Sequence, residues 1–201
     1  MPKPISGRAL TTGLAAVALT FGVAAATLGI HSLSDGSATA AMRGISGHFT
    51  LTTPRDEVVT DRSFPGKWLL VYFGYTFCPD ACPTALNALG NALDELGPRA
   101  AKVQPIFITV DPEKDTPQVV ADYVKAFDAR IVGLSGTPEQ IAAAAKEFRV
   151  YYEVRPLGDD EYAIDHSSFI YVINPQGQVV ELLTGNLPGH SMAEEWRRLI
   201  G

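Results

Sequence analysis

Two cysteines, Cys78 and Cys82, are the only thiols in the 201-residue chain, and they stand four positions apart. The run before them, Trp68-Leu-Leu-Val-Tyr-Phe-Gly-Tyr, is continuously apolar and β-rich, the mark of a strand buried on both faces. After them Leu86, Leu89, Leu93 and Leu96 recur at helical spacing, closed by Gly97-Pro98. The pair therefore sits where a buried strand meets a helix. The first turn of a helix offers backbone N–H groups without intrahelical partners and the positive end of a dipole, and both favour thiolate over thiol. Residues i and i+4 share a helical face, so the two sulfurs can converge on one soft ion. The same spacing can close a disulfide where the backbone permits. A structural bridge or two buried thiols is the plainer alternative, although structural bridges usually close longer loops and stabilise more by doing so.

Two thiolates leave a metal under-coordinated, so a third ligand is sought among His31, His48, His166 and His190. His31 borders an apolar segment, His48 enters an edge strand, and His190 stands beside Gly189 at a helix start, a common solvated position. His166, in Asp165-His-Ser-Ser, immediately precedes the most apolar strand of the C-terminal half. If that strand runs antiparallel to the cysteine-bearing one, a loop histidine at its start overhangs the sulfurs. A solvent-facing or turn-stabilising role is the competing reading, because one histidine is a weak signal.

The elements that must hold these residues are legible in outline. His48-Phe-Thr-Leu-Thr and Glu57-Val-Val-Thr suggest a short N-terminal hairpin around Thr53–Asp56. Val103-Gln-Pro-Ile-Phe-Ile-Thr-Val reads as a second buried strand. Thr116-Pro117 and Thr137-Pro138-Glu-Gln140 each place an N-cap before proline, opening helices of about a dozen residues through Phe127 and Phe148, with a strand at Ile131-Val-Gly-Leu between them. Ser168-Phe-Ile-Tyr-Val-Ile, the turn Asn174-Pro-Gln-Gly and Gln178-Val-Val-Glu-Leu-Leu form a hairpin. Ser191-Met-Ala-Glu194 has the form of a capping box for a last helix carrying Trp196 and Leu199. Strands alternating with helices and closed by a hairpin make an α/β, thioredoxin-like fold with a mainly parallel sheet.

From Ala9 to Ile30 no charged residue occurs, a length that can cross a bilayer as a helix. Lys3, Arg8 and the terminal amine precede it and Asp35 follows, which orients residues 1–8 to the cytoplasm and the rest outside. The expected organisation is a transmembrane anchor at 9–30, a Ser/Gly/Ala/Thr-rich tether at 31–46 and a globular domain at 47–201. The expected location is an inner membrane, single-pass, with the domain on the periplasmic side. A cleaved signal peptide ending at Ala38-Thr39-Ala40 is the alternative, although 22 uncharged residues exceed a usual signal core. Without Lys3 and Arg8 the remainder carries 14 basic against 22 acidic residues, about −8. Such a surface, lacking a basic stripe, repels phosphate backbones and excludes nucleic acid as a partner.

Three blocks, Phe73-Gly-Tyr-Thr-Phe-Cys-Pro-Asp-Ala-Cys-Pro83, Ile108-Thr-Val-Asp-Pro-Glu-Lys-Asp-Thr-Pro117 and Asp165-His-Ser-Ser-Phe-Ile-Tyr171, closely resemble the SCO/SenC family in order and spacing, over about Gly47 to Ile200. The resemblance implies a thioredoxin-fold copper protein with a single membrane span that helps assemble the binuclear copper centre of cytochrome c oxidase. It places the metal ligands on Cys78, Cys82 and His166. The only departure is Ala81, where a bulkier aliphatic is common.

Within the second block Asp111 and Asp115 could steer a partner or tune the site, but turn-making next to Pro112 and the Thr116 cap is the favoured reading. Asp165 could orient His166 as a supporting carboxylate. Tyr72, Phe73, Tyr75 and Phe77 are read as packing and solvent exclusion.

Two thiolates and an imidazole make a soft three-coordinate site suited to Cu(I), and to Cu(II) with an added ligand. Zinc also accepts Cys₂His, so the resemblance, not the ligand set, selects copper. The expected role is a metallochaperone rather than an enzyme. It exchanges ligands with the copper-bearing oxidase subunit and depends on an upstream copper donor and a thiol reductant. The rivals are a thiol-disulfide oxidoreductase using a Cys78–Cys82 disulfide and a peroxidase built on Thr76-Phe-Cys, which would need neither Cys82 nor His166.

Overall fold

The structure, a computed structural model, describes Met42 and residues 44–158 and 161–201, and Gly44–Gly201 form one compact unit. The segment 9–30 expected to span a membrane lies outside the described residues. No helix among those described is long and apolar enough to do so.

An antiparallel hairpin, β1 (Thr50–Thr52) with β2 (Val58–Thr60), opens the unit where the alternating pattern placed it. The five-stranded sheet follows: β3 (Trp68–Gly74), β4 (Val103–Thr109), β5 (Val132–Leu134), β8 (Phe169–Ile173) and β9 (Val179–Thr184), in the order β5-β4-β3-β8-β9. β3, β4 and β5 run parallel, whereas β8 is antiparallel to β3 and β9 to β8. Among the described residues the main helices are α1 (Ala81–Leu96), α2 (Pro117–Lys125), α3 (Pro138–Phe148) and α4 (Gly189–Ile200).

Register assigns the faces. Tyr72 and Gly74 of β3, Phe107 of β4 and Ile170 of β8 point one way, and Val71, Phe73 and Tyr171 the other. On the first face Phe107 meets Tyr123 of α2 at 5.8 Å between ring centroids. There too α1 lies so close to β3 that a Cβ on Gly74 would stand 2.6 Å from the Cys82 sulfur. α4 lies on α1, where a Cβ on Gly189 would be 2.8 Å from the Ala88 carbonyl oxygen. On the second face Phe148 of α3 packs edge-on against Phe73 and Tyr171, 5.1 Å from each. Both central strands are buried through most of their length, as their unbroken apolar runs require.

Thr116 and Thr137 cap α2 and α3 as their Thr-Pro sequences predict, Thr137 in a full capping box with Gln140. The box read at Ser191–Glu194 is not used. α4 begins three residues earlier, with Pro188 at the N-cap position and Gly189 packed closely on α1.

A second antiparallel ribbon, β6 (Tyr152–Gly158) with β7 (Glu161–His166), was not foreseen. Its sequence is charged and contains Pro156, and β6 is exposed along nearly all of its length, so it carries none of the apolar signal of a core strand. His166 is consequently the last residue of a strand, not part of a free loop.

Candidate metal centre

The antiparallel pairing of β8 with β3 sets Tyr72 opposite Ile170, so the start of β8 lies at the end of β3 from which the cysteine loop leaves. Cys78 follows β3 at the tip of that loop, and Cys82 lies in the first turn of α1. His166 ends β7, with Ser167 and Ser168 between it and the start of β8. The ligand atoms of Cys78, Cys82 and His166 all lie within 4.8 Å of one another. Donors bound at about 2.0–2.3 Å in a trigonal plane stand roughly 3.5–4.0 Å apart. The 3.6 Å between Cys82 Sγ and His166 Nε2 fits that spacing without rearrangement.

Both cysteines are free thiols, Cys82 fully buried and Cys78 at 9% exposure. α1 has no side-chain cap from Asp80, and the Cys78 sulfur takes that place by accepting the Cys82 N–H at 3.4 Å. The hydrogen bond from the Cys82 thiol is the main force holding Cys78 well below the ordinary thiol range; His166 and the backbone N–H groups of Cys82 and Asp80 assist, and burial opposes. The same bond, then burial, pushes Cys82 far up. One hydrogen bond between the two sulfurs therefore drives their affinities for a proton in opposite directions, and the pair titrates as a unit.

The imidazole is oriented by its backbone. Nδ1 lies 3.0 Å from the Ser167 carbonyl oxygen, which can only accept, so Nδ1 carries a hydrogen and Nε2 is the ring nitrogen turned to the sulfurs. Tyr72 and Tyr75 flank the ring edge-on at 6.2 and 5.9 Å, and the Tyr72 hydroxyl is held 3.1 Å from Ser168 Oγ. Both tyrosines are buried and exclude water, as expected. Phe77 does not: it is 69% exposed. Among the described residues the other two histidines are engaged elsewhere, His48 with Asp61 and His190 with Glu95 and Glu194.

The three aspartates part company. Asp165 lies in the exposed ribbon against Arg155, 3.2 Å away, while the orienting contact to His166 comes from the Ser167 carbonyl. Asp115 is fully buried. It accepts the Thr76 N–H at 2.9 Å, the Thr76 hydroxyl, and the Thr109 hydroxyl at 2.7 Å. It therefore ties the cysteine loop to the end of β4. The Thr76 hydroxyl thus donates to this carboxylate and not to Cys78. Burial raises the Asp115 carboxyl and these hydrogen bonds counteract it. Asp111, 5% exposed, accepts the Tyr162 hydroxyl at 3.0 and 2.9 Å on its two oxygens.

Replacing Asp115 with Asn would turn an NH₂ group onto donors that now share a carboxylate. The expected outcome is a loss of about 1–3 kcal/mol in stability, read as a lower urea midpoint. The Thr76–Cys78 loop should loosen in parallel, read as faster alkylation of Cys78.

The SCO1/SenC sequence profile matches residues 37–201. The chain belongs to the SCO1/SenC family. The human mitochondrial SCO1 homolog is 41% identical over 145 residues, covering 71% of this chain and 48% of its own length. The chain thus matches about half the length of that relative. Among solved structures, copper-bound ScoI of Arabidopsis thaliana superposes with a TM-score of 0.73 at 38% identity, covering 78% of this chain and 98% of the other. Copper-bound ScoI of Bradyrhizobium japonicum does so at 0.71 and 40%, covering 77% and 98%. The thioredoxin-like α/β fold of this SCO1/SenC member is therefore that of proteins crystallised with copper.

These relatives correct one expectation. The placement on the periplasmic side of a bacterial inner membrane does not stand: the human relative is a mitochondrial protein, and so are other relatives of similar identity. Lys3 and Arg8 ahead of an uncharged stretch bear on orientation, and they do not say which membrane is meant.

Proposed function

We propose that this protein is a copper metallochaperone whose cargo is held by Cys78 Sγ, Cys82 Sγ and His166 Nε2 and passed to the copper-bearing subunit of cytochrome c oxidase during assembly. The observation that carries the reading is the convergence of these three donors, with Nδ1 tied to the Ser167 carbonyl and Nε2 turned to the sulfurs. Two sulfurs and one nitrogen suit Cu(I), and leave room for the added ligand that Cu(II) takes. Cys78 is the less buried sulfur, so an incoming thiolate meets the metal on that side while Cys82 and His166 still hold it. Family membership and the copper-bound neighbours support copper over zinc, which the ligand set alone would also accept.

The test is competition under anaerobic reduction. Offered equimolar Cu(I) and Zn²⁺, the protein should retain copper in large excess over zinc after desalting, measured by elemental analysis. Predominant zinc would overturn the reading. Thiol-disulfide exchange with the oxidase cysteines is a second reading, supported by the stabilised Cys78 thiolate beside a buried partner thiol.

A further inference from the structure

His166 stands on an element that the main sheet does not hold. β6 and β7 form their own two-stranded ribbon, with no hydrogen-bonded pairing to the five-stranded sheet. A two-stranded ribbon alone is marginal in water. Its attitude, and the position of the imidazole it carries, must come from tertiary ties. Arg155–Asp165 is exposed and joins the ribbon only to itself. Tyr151 and Ser167 close its base through backbone and hydroxyl hydrogen bonds at 2.9 and 3.1 Å.

Alternation along β7 puts Tyr162, Ile164 and His166 on one face, the one turned to the domain, where Ile164 is buried. At one end of this face the imidazole reaches the sulfurs. At the other the Tyr162 hydroxyl donates to the nearly buried Asp111 carboxylate, and the Lys114 ammonium sits 3.6 Å from the Tyr162 ring centroid. Asp111 is joined to the cysteine side. Its N–H donates to Thr109 Oγ1 at 2.9 Å, Thr109 donates to Asp115, and Asp115 holds Thr76. The turn after β4 therefore grips the cysteine loop with one aspartate and the histidine ribbon with the other.

Taking the three ligands as proposed above, we infer that Tyr162, through its clasp on Asp111, is a positioning residue that sets whether the site offers three ligands or only its two sulfurs. With the clasp closed, His166 Nε2 lies 3.6 Å from the Cys82 sulfur. With it released, the outer part of the ribbon loses its tie to the turn after β4, and the imidazole is held less firmly over a site that two thiolates still hold. Cu(II), which depends on imidazole, is the species that feels the difference.

The test is Tyr162→Phe, which keeps the ring under Lys114 and removes only the hydroxyl. Cu(II) dissociation constants and electron paramagnetic resonance spectra are compared for the wild type, Tyr162→Phe and His166→Ala, with amide exchange of residues 161–166 measured in the metal-free protein. Tyr162→Phe should weaken Cu(II) binding about 10–100-fold, the usual cost of losing a group that orients a ligand. It should reduce the nitrogen hyperfine signature towards that of His166→Ala, speed exchange along β7, and leave Cu(I) binding within about twofold. Asp111→Asn, which retains an acceptor for the phenol, should preserve most of the wild-type signature. The double variant Tyr162→Phe/Asp111→Asn, which leaves no unpaired buried charge, should lose it. A wild-type spectrum and affinity in Tyr162→Phe, with His166→Ala altered, overturns the clasp alone. An unaltered spectrum in His166→Ala overturns the ligand assignment and the clasp with it.

Discussion

Reduced protein should take up one Cu(I) per chain, and the Cys78–Cys82 disulfide form almost none. Oxidation removes both sulfurs as ligands in one step and leaves a lone imidazole, which is a poor host for Cu(I). The thiol form starts with one proton on the buried Cys82 and a stabilised thiolate on Cys78. Binding through both sulfurs must expel that proton. Uptake should therefore strengthen as pH rises through the range in which Cys82 stays protonated without metal, and weaken as pH falls. Isothermal titration in two buffers of different ionisation enthalpy reads the proton release, and a bicinchoninate competition reads the stoichiometry. Equal copper uptake by the reduced and oxidised forms would remove the thiolate site from consideration.

The cysteine half of the centre was legible in the sequence because strong local rules act there together. An unbroken apolar run is a buried strand, leucines at helical spacing are a helix, and the junction between them is a helix N-terminus that favours thiolates. Thr116 and Thr137 announced their helices in the same way. The histidine half was harder. That His166 overhangs the sulfurs follows from β8 being antiparallel to β3, which is a matter of topology and not of the residues around the histidine. The β6–β7 ribbon was invisible because its strands are held by pairing with each other and by a few polar ties, with little apolar alternation to show for it. The same blindness hid Tyr162. A tyrosine in a charged stretch carries no mark of its partner, and Asp111 lies 51 positions away.

The second motif block shows where turn chemistry and site chemistry coincide. Asp111 and Asp115 do make turns, as Asp-Pro and a residue before a Thr cap should: the Asp115 N–H donates to the Asp111 carbonyl at 2.8 Å. Their side chains point inward, one to the ribbon and one to the cysteine loop. A buried carboxylate is costly unless it is hydrogen-bonded, and each here has donors arranged around it. A partner-steering role for Asp115 would require exposure, and it has none.

Replacing His166 with Ala should separate a carrier from a reductase. The substitution leaves both sulfurs, the Cys78 side still the more accessible, and a helix N-terminus behind them, so the dithiol should still cycle with a disulfide substrate at a rate within a few-fold of wild type. It removes one of three copper ligands, so copper retention should fall by orders of magnitude for Cu(II) and less for Cu(I), since two thiolates alone can hold the softer ion. Cys78→Ser is the matched control because it abolishes both chemistries. In cells whose oxidase assembly depends on this protein, a copper carrier predicts that His166→Ala depresses oxidase activity nearly as far as Cys78→Ser, with partial rescue by added copper. A thiol reductase predicts near-normal activity for His166→Ala beside failure of Cys78→Ser. Oxidase activity measured in the two strains side by side decides between them. The geometry favours the first outcome: Nδ1–H is tied to the Ser167 carbonyl and Nε2 lies 3.6 Å from the Cys82 sulfur, an arrangement that metal binding needs and that dithiol exchange does not.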